Sequence, residues 1–327
     1  MKGLISIVVP AYNEEDVLPV FHRRLSAVLH SLPYEGEIIY VNDGSTDHTL
    51  GVLQKLRESD RRMMILDLSR NFGKEIALTA GLDYARGNGV VVIDADLQDP
   101  PELIPELISH WEAGYDVVYS KRLLREGEGA VKKGTADLFY KLMQRLGPIK
   151  IPENTGDFRL LSRRAVDALK QLREQHRFMK GLFTWIGYPQ KAVLYQRAAR
   201  LRGKTKWSYR GLWNLALEGI TSFSIVPLKM ATYVGLSTSF LALLYAAVVF
   251  FKALFYGDPV KGYPSLMVVI LFLGGVQLLS IGVLGEYLGR VFDETKGRPL
   301  YFVKDFFPSD SAGSNHESEC PPQRPDR

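Results

Sequence analysis

A single cysteine, Cys320, stands among the 327 residues. One thiol excludes an intrachain disulfide and any zinc or iron–sulfur centre built from several cysteines. The six histidines are scattered and form no His-Glu-x-x-His pair, so a zincin-type metal site is excluded as well. No Gly-x-Gly-x-x-Gly follows the first predicted strand, which argues against a dinucleotide site. No Gly-x-x-x-x-Gly-Lys-Ser/Thr occurs, which argues against a P-loop. Charge of one sign is nearly absent as an excess: 41 Lys+Arg face 36 Asp+Glu, a net +5. Most of that excess lies beside apolar runs, so the sequence reads as one with no nucleic-acid partner. A signal peptide is not expected, because the apolar run 4–9 is too short and leads straight into Pro10-Ala11-Tyr12-Asn13-Glu14-Glu15. With 46% hydrophobic residues the chain is too apolar to be disordered.

What is present divides sharply. Residues up to about 228 read as soluble; beyond them lie two uncharged runs, 230–251 and 265–285, of 22 and 21 residues. At about 1.5 Å per helical residue each exceeds the ~30 Å hydrocarbon core of a bilayer. The link between them carries Gly257, Pro259, Gly262 and Pro264, so the pair is expected to form a helical hairpin. Lys204, Lys206, Arg210 and Lys229 precede the first run, and Arg290, Lys296, Arg298 and Lys304 follow the second. The excess of cations on that side predicts both termini in the cytoplasm and an integral plasma (inner) membrane protein of two spans. The stretch 207–228, with Trp207, Leu212, Trp213, Leu215, Leu217 and Ile220, predicts an amphipathic segment lying in the interface. Gly285 and Gly289 give a small-xxx-small spacing, compatible with self-association into a homo-oligomer of unread number. The expected divisions are therefore 1–206 catalytic, 207–228 interfacial, 229–290 two spans, and 291–327 a cytoplasmic tail whose Ser/Pro/Glu-rich end, from Ser309, is disordered.

The soluble part alternates short apolar strands with amphipathic helices. Strands are predicted over 4–9, 37–41, 63–68, 90–93 and 116–119, with helices over 15–31, 46–59, 74–86 and 101–113. That order predicts an α/β domain whose mostly parallel sheet is covered on both faces. In such sheets ligands bind beyond the carboxyl ends of the strands. There the sequence places Asn42-Asp43-Gly44-Ser45-Thr46-Asp47 after the second strand and Asp94-Ala95-Asp96-Leu97-Gln98-Asp99-Pro100-Pro101 after the fourth. Ser120-Lys121-Arg122 follows the fifth. A site that holds phosphates without a glycine cradle calls for a metal ion, and the carboxylates of Asp94 and Asp96 suit Mg²⁺ or Mn²⁺.

Three segments, residues 8–15, 41–47 and 94–101, resemble in order and spacing the motifs of family 2 glycosyltransferases with the Rossmann-like GT-A fold. With the hairpin included, residues 4–305 are similar to the polyprenyl-phosphate glycosyltransferases, among them the bactoprenol glucosyltransferases. The resemblance implies that Pro10, Tyr12 and Glu14 line the base and ribose pocket and that Asp43 contacts the uracil. Asp94 would hold ribose or metal-bound water, Asp96 would ligate the metal bridging the donor diphosphate, and Gln98 would face the sugar. Arg200 and Lys206 fall in a segment resembling Arg-x-x-Gly-x-Ser/Thr-Lys-Tyr/Trp-Ser and would hold phosphates; Lys204 stands where many relatives carry Glu. Arg122 would meet the lipid phosphate, with Lys132 and Lys133 nearby. Asp157, in Thr155-Gly156-Asp157-Phe158-Arg159, would be the general base or orient the nucleophile. Ser162 is the better N-cap for the helix that follows.

The activity so implied is a hexosyltransferase reaction: inverting transfer of a sugar from a UDP-sugar to polyprenyl (undecaprenyl) phosphate at the cytoplasmic membrane face. Glucose is favoured by the resemblance alone; GDP-mannose as donor stays open. A processive polysaccharide synthase would need more spans and a Gln-x-x-Arg-Trp stretch, which the chain lacks. A transporter would need polar groups at depth within the spans.

Overall fold

The computed structural model describes residues 3–123, 152, 155–195, 226–256 and 262–309. The sequence's first five strands are β1 (Leu4–Ala11), β2 (Glu35–Asn42), β3 (Met63–Leu68), β4 (Gly89–Val92) and β5 (Val117–Arg122). Helices α1 (Leu18–Ser31), α2 (Thr49–Ser59), α3 (Lys74–Tyr84) and α4 (Ile104–Glu112) lie between them. Two helices start later than their patterns predict, because the preceding loops are held in other bonds. Asn13 adopts φ 55° and its amide donates to Ser45 Oγ at 3.0 Å, while Asp47 Oδ1 accepts the Thr49 amide at 2.9 Å. The predicted helix 101–113 opens as a 3₁₀ turn, Pro101–Leu103, before α4.

Three further strands complete the sheet: β6 (Thr155–Ser162), β7 (Gln190–Tyr195) and β8 (Val303–Phe307). The order is β7-β5-β6-β4-β1-β2-β3-β8. Strands β1, β2, β3 and β4 pair in parallel, as do β5 and β7; β6 runs antiparallel to β4 and β5, and β8 runs antiparallel to β3. Because a strand alternates its side chains between two faces, β1 sends Ile5, Ile7 and Val9 to one core and Val8 to the other. Helices α1, α2 and α4 cover the first face. The second is covered by α3, α5 (Arg163–Gln171) and α6 (Met179–Trp185). Ser162 caps α5 as expected, accepting the Ala165 amide at 3.3 Å.

Helix α3 lies close on the sheet because Gly81 faces it. A Cβ there would collide with the Val8 side chain and press on Val41 Cγ2 at 3.2 Å. This approach sets the depth of α3 and so the position of its first residue, Lys74.

Beyond the sheet, the two apolar runs lie within helices α7 (Val226–Tyr256) and α8 (Tyr263–Thr295), which pack on each other. Among the described residues one window, Phe272–Thr295, is long and apolar enough to cross a membrane. The segment read from sequence as a tail does more than trail. It includes the end of α8 and then β8, which covers the β3 edge that an open sheet would leave unpaired. Further bonds hold this return: Ser69 N donates to the Phe302 carbonyl at 2.9 Å, Tyr301 Oη to Asp83 Oδ2 at 2.8 Å, and Gln175 N to Glu294 Oε1 at 2.7 Å.

Gly81→Ala is expected to destabilise the domain by about 1–3 kcal/mol, the usual cost of overfilling a packed core. A lowered apparent melting temperature checks it.

Candidate active site

The carboxyl ends of β1, β2 and β4 lie at one edge of the sheet. Strand β6 runs the other way, so its beginning lies at that same edge. The register pairs Val92 with Arg159. Two residues further along, the antiparallel register sets Asp94 opposite Asp157. Neither carboxylate could sit so close to the other uncompensated, and the compensation is Lys74. Its Nζ donates to Asp94 Oδ2 at 2.7 Å and to Asp157 Oδ2 at 2.5 Å. Asp157 is 8% exposed, and its Oδ1 is buried without a partner among the described residues.

Lys74 reaches this point through Asp43. The Asp43 carboxylate accepts the amides of Phe72 at 2.7 Å and Gly73 at 3.0 Å. Gly73, at φ 96°, then turns the chain into α3 through a conformation that favours glycine. The resemblance gives Asp43 to the uracil; in the structure both of its oxygens already hold this loop, and a base would meet their remaining lone pairs. Burial raises its pKa against the pull of those two amides.

Electrostatics follow from the crowding. Lys74 keeps 43% of its side-chain exposure, so burial opposes its charge only in part, and Asp157 and Asp94 outweigh it and raise its pKa. Burial alone would raise Asp157, yet Lys74, Lys180 and Arg159 hold it well below the usual carboxylate range. Asp94 goes the other way, raised by burial and by Asp157 in spite of Lys74. Arg159 supports the strand start from behind: its Nη2 donates to the Gly156 carbonyl at 2.8 Å while its guanidinium lies 3.8 Å from the Phe183 ring centroid.

The turn after β4 holds the next group. Asp96 Oδ1 accepts the Gln98 amide at 3.1 Å, Leu97 adopts φ 60°, and Gln98 Oε1 is buried without a partner among the described residues. Tyr195 Oη donates to Asp99 Oδ1, and Arg122 Nε donates to Tyr195 Oη at 3.1 Å. Burial and Asp99 push the Tyr195 hydroxyl up to about 12. Arg122 thus stands at the site edge, half-buried and tied to Tyr195 and Asp99. Pro10 and Glu14 are half-buried and Tyr12 is exposed, all at the end of β1. Arg200, Lys206, Lys132 and Lys133 lie outside the described residues.

The residues fit a divalent ion. Asp94 and Asp96 stand two residues apart at the turn after β4 and offer hard carboxylate oxygens, while Lys74 fills the position between Asp94 and Asp157. No group of three or more His, Cys, Asp or Glu suited to a metal forms among the described residues. One or two carboxylates with substrate phosphates supplying the rest is the coordination usual for Mg²⁺.

Residues 6–170 match glycosyl transferase family 2, and residues 226–291 match the GtrB C-terminal hairpin. A glycosyltransferase of Synechocystis is 58% identical over 93% of this chain and 95% of its own length. The bactoprenol glucosyl transferase of Shigella phage SfV is 51% identical over 92% of this chain and 98% of its own, and a prophage bactoprenol glucosyl transferase homolog of Escherichia coli is 49% identical over 92% and 98%. The chain belongs to glycosyl transferase family 2. Its mostly parallel α/β sheet is the GT-A catalytic fold of that family, and the enzyme is a glycosyltransferase.

Sequence reasoning passed over two residues of the site. Lys74 appeared only as the first residue of a helix. Glu75, beside it, accepts the Met179 amide at 3.2 Å and is pushed up to about 7 by burial and by Asp157. The folded chain keeps the Glu75 proton up to about that pH, whereas an ordinary glutamate releases it near 4.5. The native state therefore binds more protons between those values, and stability falls as pH rises through them. Glu75→Gln is expected to flatten that slope; apparent melting temperatures across the window check it.

Proposed function

We propose that this glycosyltransferase moves glucose from UDP-glucose to the phosphate of a polyprenyl lipid, with inversion at the anomeric carbon. The observation that carries the reading is the convergence of Asp94 and Asp157 on one cation at the carboxyl edge of the sheet, with one Asp157 oxygen left without a partner among the described residues. The names of the curated relatives support glucose and bactoprenol as the reactants.

In the proposed reaction a lipid phosphate oxygen forms a bond to the anomeric carbon. The bond from that carbon to the UDP oxygen breaks, and its electron pair leaves on UDP. A divalent ion, when bound at Asp96 and Asp94, supplies positive charge for the departing diphosphate. The attacking phosphate is already ionised at neutral pH, its second pKa lying near ~6 as in phosphomonoesters. Asp157 then has little proton to remove. Its part is to orient the reacting groups, and positioning of this kind is a large source of rate. Pro10, Tyr12, Glu14 and Asp43 stand at the strand ends where the nucleoside would bind, and Gln98, with its bare buried oxygen, would face the sugar. Arg122 would meet the lipid phosphate by exchanging part of its bond to Tyr195 and Asp99. Arg200, Lys206, Lys132 and Lys133 would add cations for the two anionic substrates.

The hairpin of α7 and α8 would cross the membrane twice, with the catalytic domain and both termini in the cytoplasm. That arrangement keeps an acceptor that cannot leave the bilayer within reach of the site. The amphipathic stretch 207–228 would lie in the interface beside it.

The test is direct. Purified protein receives labelled UDP-glucose, GDP-mannose and other sugar nucleotides with undecaprenyl phosphate and Mg²⁺ or Mn²⁺, and the organic-soluble product is identified by mass. A glucosyl lipid from UDP-glucose is expected; a mannosyl lipid alone, or no lipid product, would overturn the reading. Asp96→Ala is expected to abolish transfer with fold and membrane insertion intact. Asp157→Asn is expected to lower kcat roughly 10²-fold or more with donor KM little changed, and equal loss in both would make Asp157 a pocket residue.

A further inference from the structure

The carboxylates of this site have a resident cation that neither the family motifs nor the proposed donor and metal contacts include. Lys74 Nζ bridges Asp94 Oδ2 and Asp157 Oδ2. A carboxylate is planar, so fixing Asp157 Oδ2 on the ammonium also fixes the direction of Oδ1, the buried oxygen that has no partner among the described residues. The bridge joins two strands of opposite sense, one end at the turn holding Asp96 and Gln98, the other at the start of β6. It also meets Asp94, the carboxylate a divalent ion would approach. Among the described residues these bonds take two of the three N–H donors of the ammonium, so one can still meet a substrate oxygen.

The surroundings make this a built feature. Asp43 holds the two amides that precede Lys74, and Gly81 lets α3 settle on Val8 and Val41. If the lysine served only to keep the helix start soluble, it would not need two carboxylates from different strands. Arg159, another cation near Asp157, is placed differently, engaged with the backbone carbonyls of Gly156 and Asp157.

We propose that Lys74 is a positioning residue for the transfer step: its ammonium clamps Asp94 to Asp157, aims the bare oxygen of Asp157 at the reacting centre, and offsets part of the negative charge that a divalent ion would meet. The inference rests on the glycosyl-transfer reading above. It has a consequence of opposite sign on two observables. Without Lys74 the carboxylate pair is more negative, so Mn²⁺ binds more tightly. Without Lys74 the Asp157 carboxylate is also free to turn, so the transfer step slows. A lysine that merely supported the fold would weaken both or change neither.

The test uses the full chain in detergent, as wild type, Lys74→Met and Lys74→Arg. Mn²⁺ binding is titrated by electron paramagnetic resonance with no sugar nucleotide present. Then kcat and donor KM are measured with UDP-glucose and undecaprenyl phosphate at saturating Mn²⁺, and thermal melts are run alongside. Lys74→Met is expected to bind Mn²⁺ at least about threefold more tightly, as loss of a neighbouring positive charge requires. It is expected to lose roughly 10²-fold in kcat, the scale of a displaced catalytic group, with donor KM changed little. Lys74→Arg keeps the charge but not the compact ammonium, so it is expected to hold Mn²⁺ as wild type does and to recover part of kcat. Unchanged or weaker Mn²⁺ binding in Lys74→Met, or an undiminished kcat, would overturn the proposal. Should Lys74→Met lose its fold, Lys74→Arg decides: wild-type Mn²⁺ affinity with a lowered kcat supports the clamp, and a wild-type kcat refutes it. A wild-type protein that makes no glucosyl lipid would instead sink the functional reading itself.

Discussion

Two carboxylates face each other at the edge of a sheet, and a lysine stands between them. The rest of the catalytic domain can be understood as the means of keeping that arrangement in place. Burying ionised groups is costly unless they are paired and hydrogen-bonded. Here the pairing is paid for by backbone geometry elsewhere: the Asp43 carboxylate fixes the chain before α3, Gly81 fixes how deep α3 sits, and Arg159 secures the start of β6. Among the described residues the same arrangement leaves one Asp157 oxygen and one Gln98 oxygen without a partner inside the site. Buried acceptors without a partner are uncommon in folded proteins, and at an active site each is a candidate to meet substrate, an ion or water.

The domain is also tied to the hairpin at two levels. Helix α8 ends in bonds from His176 to Asp293 and from Gln175 to Glu294 and the Arg298 carbonyl. The chain then returns as β8 on the β3 edge. A flexible linker would leave the site free to tumble relative to the helices. A strand in the sheet and a helix end bonded to the loop before α6 instead give the site a fixed stance toward them, as the proposed lipid acceptor would require.

Much of this was legible in the residues. Five strands and four helices of the domain follow from short apolar runs alternating with amphipathic stretches, and the two long helices follow from uncharged runs of more than twenty residues. The acidic turns after β2 and β4 could be placed at the carboxyl edge because parallel sheets put their strand ends there. What was not legible is non-local. Strand β8 hides in a segment whose neighbours read as tail, since an edge strand of five residues carries little pattern of its own. Asp157 came forward only through resemblance, because its closeness to Asp94 depends on β6 running antiparallel, and no spacing in the sequence states that. Lys74 gave no signal at all. A lysine opening a helix is ordinary, and its partners lie 20 and 83 residues away. Asp43 was read for its resemblance to a base-binding residue, while its part in holding the α3 entry appears only when the loop is folded onto it.

The most direct measurement is a structure of the full chain with UDP-glucose and Mn²⁺ bound. The account predicts the glucosyl anomeric carbon facing Asp157 Oδ1 at the carboxyl edge of the sheet, with Lys74 still bridging Asp94 and Asp157 through their Oδ2 atoms. A donor seated at any other edge, or an Asp157 carboxylate turned away from the sugar, would contradict it.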